Sequence, residues 1–270
     1  MKKRRDTYRI LAKDKWMNNN TWVTGLNNND LIIGVTGSGK TRGYVKPNLM
    51  CTSESVIVAD TKGSLYREFG ASLEKEGYQV WMLDFVDMIK SPMGYNPLSA
   101  IRYDEETDSY NEQDIMMIAA AVCPIEIGKD PYWDYATRMQ VEAMIAYVME
   151  ALPEREHHFG SVAKVASLLG SDVLQRMFQE WESVKPDSVA VKKWHMFEKG
   201  KEAKATQSCI QLIMAEKLND FTTMGALKFA QHPRQIDFSE LGRKKTAVFL
   251  NVSDMDRSQD KFLNLVYTQA

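Results

Sequence analysis

Eight consecutive residues of this sequence have the composition and spacing of a phosphate-binding loop. The stretch GVTGSGKT, residues 34–41, matches the pattern G-x-x-x-x-G-K-[S/T] in full and follows a short apolar run. Glycines let backbone N–H groups converge on phosphate oxygens, which side chains would obstruct. A lysine neutralises phosphate charge, and a threonine hydroxyl coordinates Mg²⁺. The predicted nucleotide-binding residues are Gly34, Gly37, Ser38, Gly39, Lys40 and Thr41, with Thr41 as the magnesium ligand.

The segment after this loop is unusual for the helix that such a loop normally opens. Gly43 and Pro47 follow Thr41 within six residues. Pro47 lacks the N–H that would bond to the carbonyl of residue 43, and its ring presses on that carbonyl. We predict an early kink or end in this helix.

A second candidate lies in SVIVADTKGSL, residues 55–65, where an apolar run ends at Asp60. At the carboxyl end of a strand next to the loop, this carboxylate would line the site and could hold Mg²⁺ through water. A Lys-Gly pair follows where a catalytic glutamate would be expected. The stretch VFLNVSD also places Ser253 and Asp254 after a strand, either as a sensor of phosphate and water or as a turn and helix cap.

The elements around these residues alternate as in a βαβ unit, which predicts an α/β fold with parallel strands. Strands are predicted at 30–35, 55–60 and 78–84, with a helix from Leu65 that ends at Gly77. Strand character returns at 245–252, followed by an apolar helical start.

The intervening segment, residues 111–228, is predicted to be mainly helical. Helical patterns cover 131–152, 160–169, 171–184 and 188–218, and the acidic stretch 104–114 is interpreted as a surface linker or helix start. The predicted layout is a basic N-terminal segment (1–25), a nucleotide-binding domain (26–104 and 236–270) and an inserted all-α domain (105–235).

The net charge of −2 predicts no overall attraction to nucleic acid or membrane, so such contacts require a local patch. One such segment has Trp194 and His195 interleaved in the sequence with five lysines: Lys192, Lys193, Lys199, Lys201 and Lys204. This segment could track a DNA backbone and stack on a base, or form a solvated helical face. Lys2 to Arg5 is a basic terminus that could contact an anionic partner or remain solvated.

Several segments, taken in order, resemble the TraG-like family of coupling ATPases of type IV secretion. They are GSGKT with RGYVKPNL, VIVADTKGSLYREFG, GYQVWMLDF, GYNPL, DPYWDYAT and KKTAVFLNVSDMD. The resemblance runs from about residue 20 to the end of the chain. Lys40 and Thr41 match the family's phosphate and magnesium ligands, and Asp60 and Lys62 match its Asp-x-Lys-Gly element.

The resemblance implies a RecA-like P-loop NTPase sheet with an inserted all-α domain. It implies a hexameric ring that uses ATP and Mg²⁺ to deliver relaxase-bound single-stranded DNA to a type IV secretion channel. The all-α domain would meet the relaxosome. The expected location is cytoplasmic, at the inner face of the cell membrane, with the membrane reached through partners because no spanning segment is apparent.

The family's Walker B strand and its Asp-Glu pair follow a segment like LVYTQ, and this sequence ends at Ala270. We therefore expect a partial sheet without the catalytic glutamate, weak nucleotide binding and negligible turnover. One alternative is a small P-loop kinase or phosphotransferase in which Asp60 is the metal aspartate. Another is a docking module whose helical domain acts without turnover.

Overall fold

The computed structural model describes residues 7–126, 128, 130–198 and 204–270. Two compact units are present: Met1–Met82 with Ser239–Val252, and Leu83–Phe238 with Ser253–Ala270. The predicted limits of the inserted domain, 105 and 235, stay a prediction. Within the described ranges, no helix has both the length and the apolar character needed to cross a bilayer.

The elements are numbered in chain order. The strands are β1 (Tyr8–Ala12), β2 (Lys15–Asn18), β3 (Val56–Asp60), β4 (Gln79–Asp84), β5 (Tyr103–Asp104), β6 (Ser109–Tyr110) and β7 (Thr246–Asn251). The α-helices are α1 (Thr21–Thr24), α2 (Lys46–Cys51), α3 (Ser64–Lys75), α4 (Glu112–Val122), α5 (Pro131–Ala151), α6 (Phe159–Ala166), α7 (Asp172–Val184), α8 (Val189–Glu198), α9 (Lys204–Leu218), α10 (Met224–Ala230) and α11 (Asp260–Gln269).

A three-stranded sheet has the order β3-β7-β4. β3 and β7 run parallel, with Val56 opposite Ala247 and Asp60 opposite Asn251. The strands predicted at 55–60, 78–84 and 245–252 are confirmed. Parallel strands require a crossover, and α3 supplies one between β3 and β4. The mixed helix and sheet architecture confirms the predicted α/β class.

The core of the first unit lies between this sheet and α3. Leu65, Phe69 and Leu73 of α3 are buried with Phe249 of β7 and Leu49 of α2. The spacing of the three α3 residues places them on one helical face, as the sequence predicted. Each such side chain contributes about 1.5–3 kcal/mol when it is fully buried. The core therefore fixes α2 and α3 against the sheet.

The prediction of a strand at residues 30–35 is wrong. The described structure has no strand there, and Leu31, Ile33 and Val35 are 84%, 85% and 80% exposed. The apolar run has the composition of a buried strand, but a strand forms only when its N–H and C=O groups pair with a neighbour. In the described sheet, β7 pairs with β3 on one side and with β4 on the other.

An antiparallel hairpin of β1 and β2 precedes the phosphate-binding loop, which the sequence analysis did not anticipate. Tyr8 lies opposite Asn18 and Ile10 opposite Trp16, with an irregularity between Ile10 and Ala12. Asp14, in the connecting turn, has a φ of 61°. Asp is one of the few residues other than glycine that visit this left-handed region readily.

The second unit is mainly helical, and the helices predicted at 131–152, 160–169 and 171–184 are confirmed. The region 188–218 contains α8 and α9. α5 packs against α4, α6, α8 and α9, so it is buried on most sides. The acidic stretch 104–114 carries the short β5–β6 pair before α4 begins at Glu112.

The stretch GYNPL forms a backbone joint within the second unit. The Gly94 N–H donates to the Arg234 carbonyl at 2.8 Å, and the Ile236 N–H donates to the Gly94 carbonyl at 3.1 Å. The buried Tyr95 hydroxyl donates to Gln269 Oε1 of α11 at 2.6 Å. The GYNPL stretch therefore joins segments of the second unit that are far apart in the sequence. Its contacts among the described residues serve to hold the fold together.

A buried histidine caps the start of α6. His158 Nδ1 accepts the Ser161 N–H at 3.3 Å, which requires that nitrogen to be unprotonated. His158 Nε2 lies 2.9 Å from the side-chain amide nitrogen of Gln231. Burial lowers the pKa of His158 below its usual value of 6.5.

We expect the free energy of unfolding to fall as the pH drops from about 6.5, because the unfolded chain binds a proton at His158 more readily than the folded chain. Of the charged neighbours, Glu156 opposes this shift, whereas Lys164 and His157 add to it. Urea unfolding at pH 7.5 and 5.5 measures the effect. His158→Asn, which retains a capping oxygen, should flatten the pH dependence. An unchanged slope in that variant would contradict the assignment.

Candidate functional site

The phosphate-binding loop requires each of its three glycines for a local reason. Gly37 and Gly39 have φ values of 82° and 88°, in the left-handed region that side chains rarely adopt. A Cβ on Gly34 would lie 2.4 Å from the Ser38 hydroxyl oxygen. Residues 31–43 are exposed. The loop therefore offers open backbone to a ligand.

The lysine and threonine of the loop occupy its carboxyl end. The Lys40 ammonium donates to the carbonyls of Gly34 and Val35, the latter at 3.0 Å. Thr41 is exposed and begins a helical segment. Phosphate oxygens would compete with these carbonyls for the ammonium, because a charged acceptor forms the stronger hydrogen bond.

The helix after the loop does not end at Pro47 but continues to Cys51, with a change of geometry before the proline, and the predicted kink stays a prediction. Residues Thr41–Val45 form a π-helical turn in which the Lys46 N–H donates to the Thr41 carbonyl, and α2 follows. Pro47 lies in the first turn of α2, where its missing N–H is tolerated. The segment after the loop is therefore not a regular α-helix from its start, because a π-helical turn precedes α2.

Asp60 and Lys62 lie in the turn between β3 and α3. Asp60 is 3% exposed, and its Oδ1 and Oδ2 accept the N–H groups of Ser64 at 3.1 Å and Tyr66 at 3.0 Å. Gly63 takes a left-handed φ of 60°. Lys62 is exposed, and its carbonyl accepts a hydrogen bond from Arg67. Both carboxylate oxygens of Asp60 are thus used to start α3.

The predicted site residues form two separate groups: the loop residues 34–41, and Asp60 with Lys62 in the turn after β3. Among the described residues, no hydrogen bond joins the loop to Asp60 or Lys62. Ser253 follows β7, and its hydroxyl oxygen accepts the N–H groups of Met255 at 3.2 Å and Asp256 at 3.0 Å. Of the two interpretations of VFLNVSD, this geometry matches the turn.

A network that the sequence analysis missed joins the β1–β2 hairpin to both flanks of the loop. Arg9 contacts Asp30 with two nitrogens, at 2.6 and 3.2 Å, and the Tyr44 hydroxyl donates to the same carboxylate at 2.7 Å. The hydrogen bond from Arg9 lowers the pKa of Asp30. Burial and the Asp30 carboxylate raise the pKa of Tyr44 to about 12.

Asn48 of α2 makes a second connection to the hairpin. Its Oδ1 accepts the Ile10 N–H at 2.7 Å, and its Nδ2 donates to the Ile10 carbonyl and the Tyr44 carbonyl, both at 2.8 Å. One side-chain amide therefore pairs with both backbone groups of Ile10, as a neighbouring strand would. Nothing in the sequence pattern of Arg9 or Asn48 indicates this pairing, although Asp30 directly precedes the apolar run.

The basic and aromatic segment on α8 is packed inward in part. Lys193 Nζ is 2.7 Å from Glu142 Oε2, and Trp194 is 7% exposed and stacked on Phe178. Neither a DNA-tracking face nor a solvated face describes these two residues, whereas Lys192 is exposed. The other basic residues of the two predicted patches lie outside the residues that the structure describes, namely Lys2, Lys3, Arg4, Arg5, Lys199 and Lys201, as does the side chain of Lys204.

The sequence matches a known protein family over almost its whole length. The family described as type IV secretory system conjugative DNA transfer matches residues 2–270. No curated protein matches the sequence.

Solved structures of a conjugative coupling protein share the fold. Plasmid coupling protein TrwB in complex with the non-hydrolysable GTP analogue GDPNP has a TM-score of 0.58 and 13% identity, over 86% of this chain and 49% of the solved chain. A trigonal form of TrwBΔN70 with sulphate gives 0.57 and 14%, over 87% of this chain and 48% of that one. The chain thus spans about half the length of these structures, and its fold is that of a RecA-like P-loop NTPase.

Proposed function

The chain belongs to the type IV secretory system conjugative DNA transfer family, and from this membership we propose that it is the nucleotide-binding part of a coupling ATPase. In this proposal it binds ATP with Mg²⁺ at residues 34–41. It then acts in delivering relaxase-bound single-stranded DNA to a type IV secretion channel. The family match gives no support to the kinase alternative.

The observation that carries the proposal is the geometry of the loop. Gly37 and Gly39 adopt left-handed φ values that side chains rarely take, and the Lys40 ammonium donates to the carbonyls at the start of the loop. These features fit a nucleoside triphosphate: backbone N–H groups and the Lys40 ammonium would bind phosphate oxygens. Thr41 would hold Mg²⁺, which neutralises charge between the β- and γ-phosphates.

Asp60 and Lys62 are proposed to play a supporting part. Because both Asp60 oxygens accept backbone N–H groups of α3, the carboxylate serves first to shape the turn at the end of β3. That role supports Thr41, ahead of Asp60, as the magnesium ligand. Lys62, exposed in the same turn, remains a proposed phosphate contact.

The partners follow from the family and are proposals throughout. We infer single-stranded DNA with its relaxase and relaxosome, the channel proteins, and other copies of the chain in a homo-hexamer. The helical domain of residues 105–235 is the proposed docking site for the relaxosome, and the proposed location is the cytoplasmic face of the cell membrane, reached through those partners.

Nucleotide affinity of the purified chain tests the central proposal. We expect a fluorescent ATP analogue to bind in the presence of Mg²⁺, and Lys40→Ala to weaken binding at least about tenfold, because the loop loses a charge-assisted contact to phosphate. Competition with unlabelled ATP and GTP distinguishes the base, since TrwB was solved with a GTP analogue.

Lys90→Ala is the matched control, because Lys90 is a highly exposed lysine paired with Asp87. This variant should bind as the unaltered chain does. If the unaltered chain binds neither nucleotide, or if Lys40→Ala binds equally well, the proposal is wrong.

A further inference from the structure

The phosphate-binding loop has few contacts of its own. Residues 31–41 are exposed, and no strand forms in the run that precedes the glycines. The hydrogen bonds of Ser38 and Lys40 within this segment are to Val35 and Gly34, which belong to the loop itself. The position of the loop therefore depends on how its two flanks are held.

The upstream flank is held through Asp30. The side chains of Arg9 and Asp30 are 12% and 14% exposed, so their two-nitrogen contact is shielded from water. Arg9 also donates to Asn19 at 3.1 Å and Asn28 at 2.9 Å. A shielded, bidentate arginine–carboxylate pair fixes both distance and orientation. Asp30 thus has a defined place against the hairpin.

The downstream flank is held through Tyr44 and Asn48. Tyr44 lies in the π-helical turn, and its hydroxyl reaches back 14 residues to Asp30. This bond closes the loop as a ring, which removes conformations in which the flanks separate. Asn48, one turn further along, pairs with both backbone groups of Ile10.

We propose that the β1–β2 hairpin is a clamp that sets the geometry of the phosphate-binding loop, with Arg9, Asp30, Tyr44 and Asn48 as positioning residues. The inference rests on the proposed nucleotide-binding function and names side chains that do not touch the phosphates. A preorganised loop loses less conformational entropy on binding, so a loosened clamp lowers nucleotide affinity. By linkage, bound nucleotide also stabilises the hairpin.

Tyr44→Phe is the sharpest test, because it removes one hydroxyl and little volume. We expect the affinity for the fluorescent ATP analogue to fall about fivefold, in the range of moderate coupling between sites. Amide hydrogen exchange at Gly43 and Lys46, whose N–H groups donate to the carbonyls of Gly39 and Thr41, should become faster without nucleotide, while the thermal midpoint stays nearly constant. Tyr103→Phe is the matched control, since its hydroxyl also bonds an aspartate, Asp108, in the other unit.

Asp30 offers a rescue experiment. Asp30→Asn removes the charge that Arg9 and Tyr44 contact and should weaken affinity and speed exchange. Asp30→Glu retains a carboxylate for both partners. Its nucleotide affinity and its exchange rate should therefore stay close to those of the unaltered chain. A merely structural role would not separate these two variants while their thermal midpoints agree.

The outcomes distinguish the two proposals. Unchanged affinity and unchanged exchange in Tyr44→Phe and Asp30→Asn overturn the clamp, whatever the unaltered chain binds. If the unaltered chain binds no nucleotide, the proposed function fails, and the exchange at Gly43 and Lys46 still decides whether the hairpin holds the loop. Faster exchange in Tyr44→Phe, with none in Tyr103→Phe, supports the clamp.

Discussion

Gly94→Ala is expected to lower the free energy of unfolding by about 4 kcal/mol, which is a large fraction of the roughly 5–15 kcal/mol of a typical domain. A Cβ at this position would lie 2.2 Å from the Phe229 carbonyl oxygen and 2.4 Å from His232 Cβ. The first of these atoms belongs to the backbone and cannot rotate away. Relief would require separating Gly94 from the segment that it pairs with, Arg234 to Ile236.

Urea unfolding followed by circular dichroism measures this loss. Gly242→Ala is the control, because a Cβ there meets no atom within 4 Å, and it should leave the midpoint nearly unchanged. If the midpoint of Gly94→Ala is unaltered, the backbone around Gly94 can move apart at little cost. That result would contradict the prediction.

Lys193→Ala is expected to cost about 3 kcal/mol of unfolding free energy, because it leaves a buried carboxylate without its partner. The Lys193 and Glu142 side chains are 12% and 7% exposed and lie 2.7 Å apart. Replacing both together, as Lys193→Met with Glu142→Leu, should recover most of the loss, since no charge then remains buried.

The neighbouring Lys192 is exposed and supplies the control. Lys192→Ala should change stability little, as is usual for a surface position. The DNA-tracking interpretation of this segment makes the opposite prediction for Lys193→Ala: weaker binding of single-stranded DNA with unaltered stability. Measuring both quantities on both variants decides between a packing role and a DNA-contacting role.

Sequence reasoning succeeded where local chemistry decides the structure. The strands ending at Asp60 and Asp84 have β-branched or aromatic cores, and α3 carries its apolar residues on one face and stops before Gly77, which has a φ of 84°. The left-handed φ values of Gly37 and Gly39 are also expected from the sequence, because glycine adopts them without the steric cost that a side chain would add.

Failures arose where a tertiary partner decides. The run at residues 30–35 reads as a strand, yet strand formation depends on a neighbour that local composition cannot specify. From the sequence, Lys193 looks like a charged surface residue. Only the packing of α8 against α5 shows that it pairs with Glu142. The bond between Tyr44 and Asp30 crosses 14 residues, and no periodicity encodes it.

The pairing of Asn48 with Ile10 also bears on how the chain behaves in concentrated solution. An exposed strand edge is a template on which another chain can add a strand, and proteins resist aggregation by blocking such edges. The N–H and C=O of Ile10, at the middle of β1, are both taken by one amide of the same chain. A single asparagine side chain therefore closes the centre of this edge to a foreign strand.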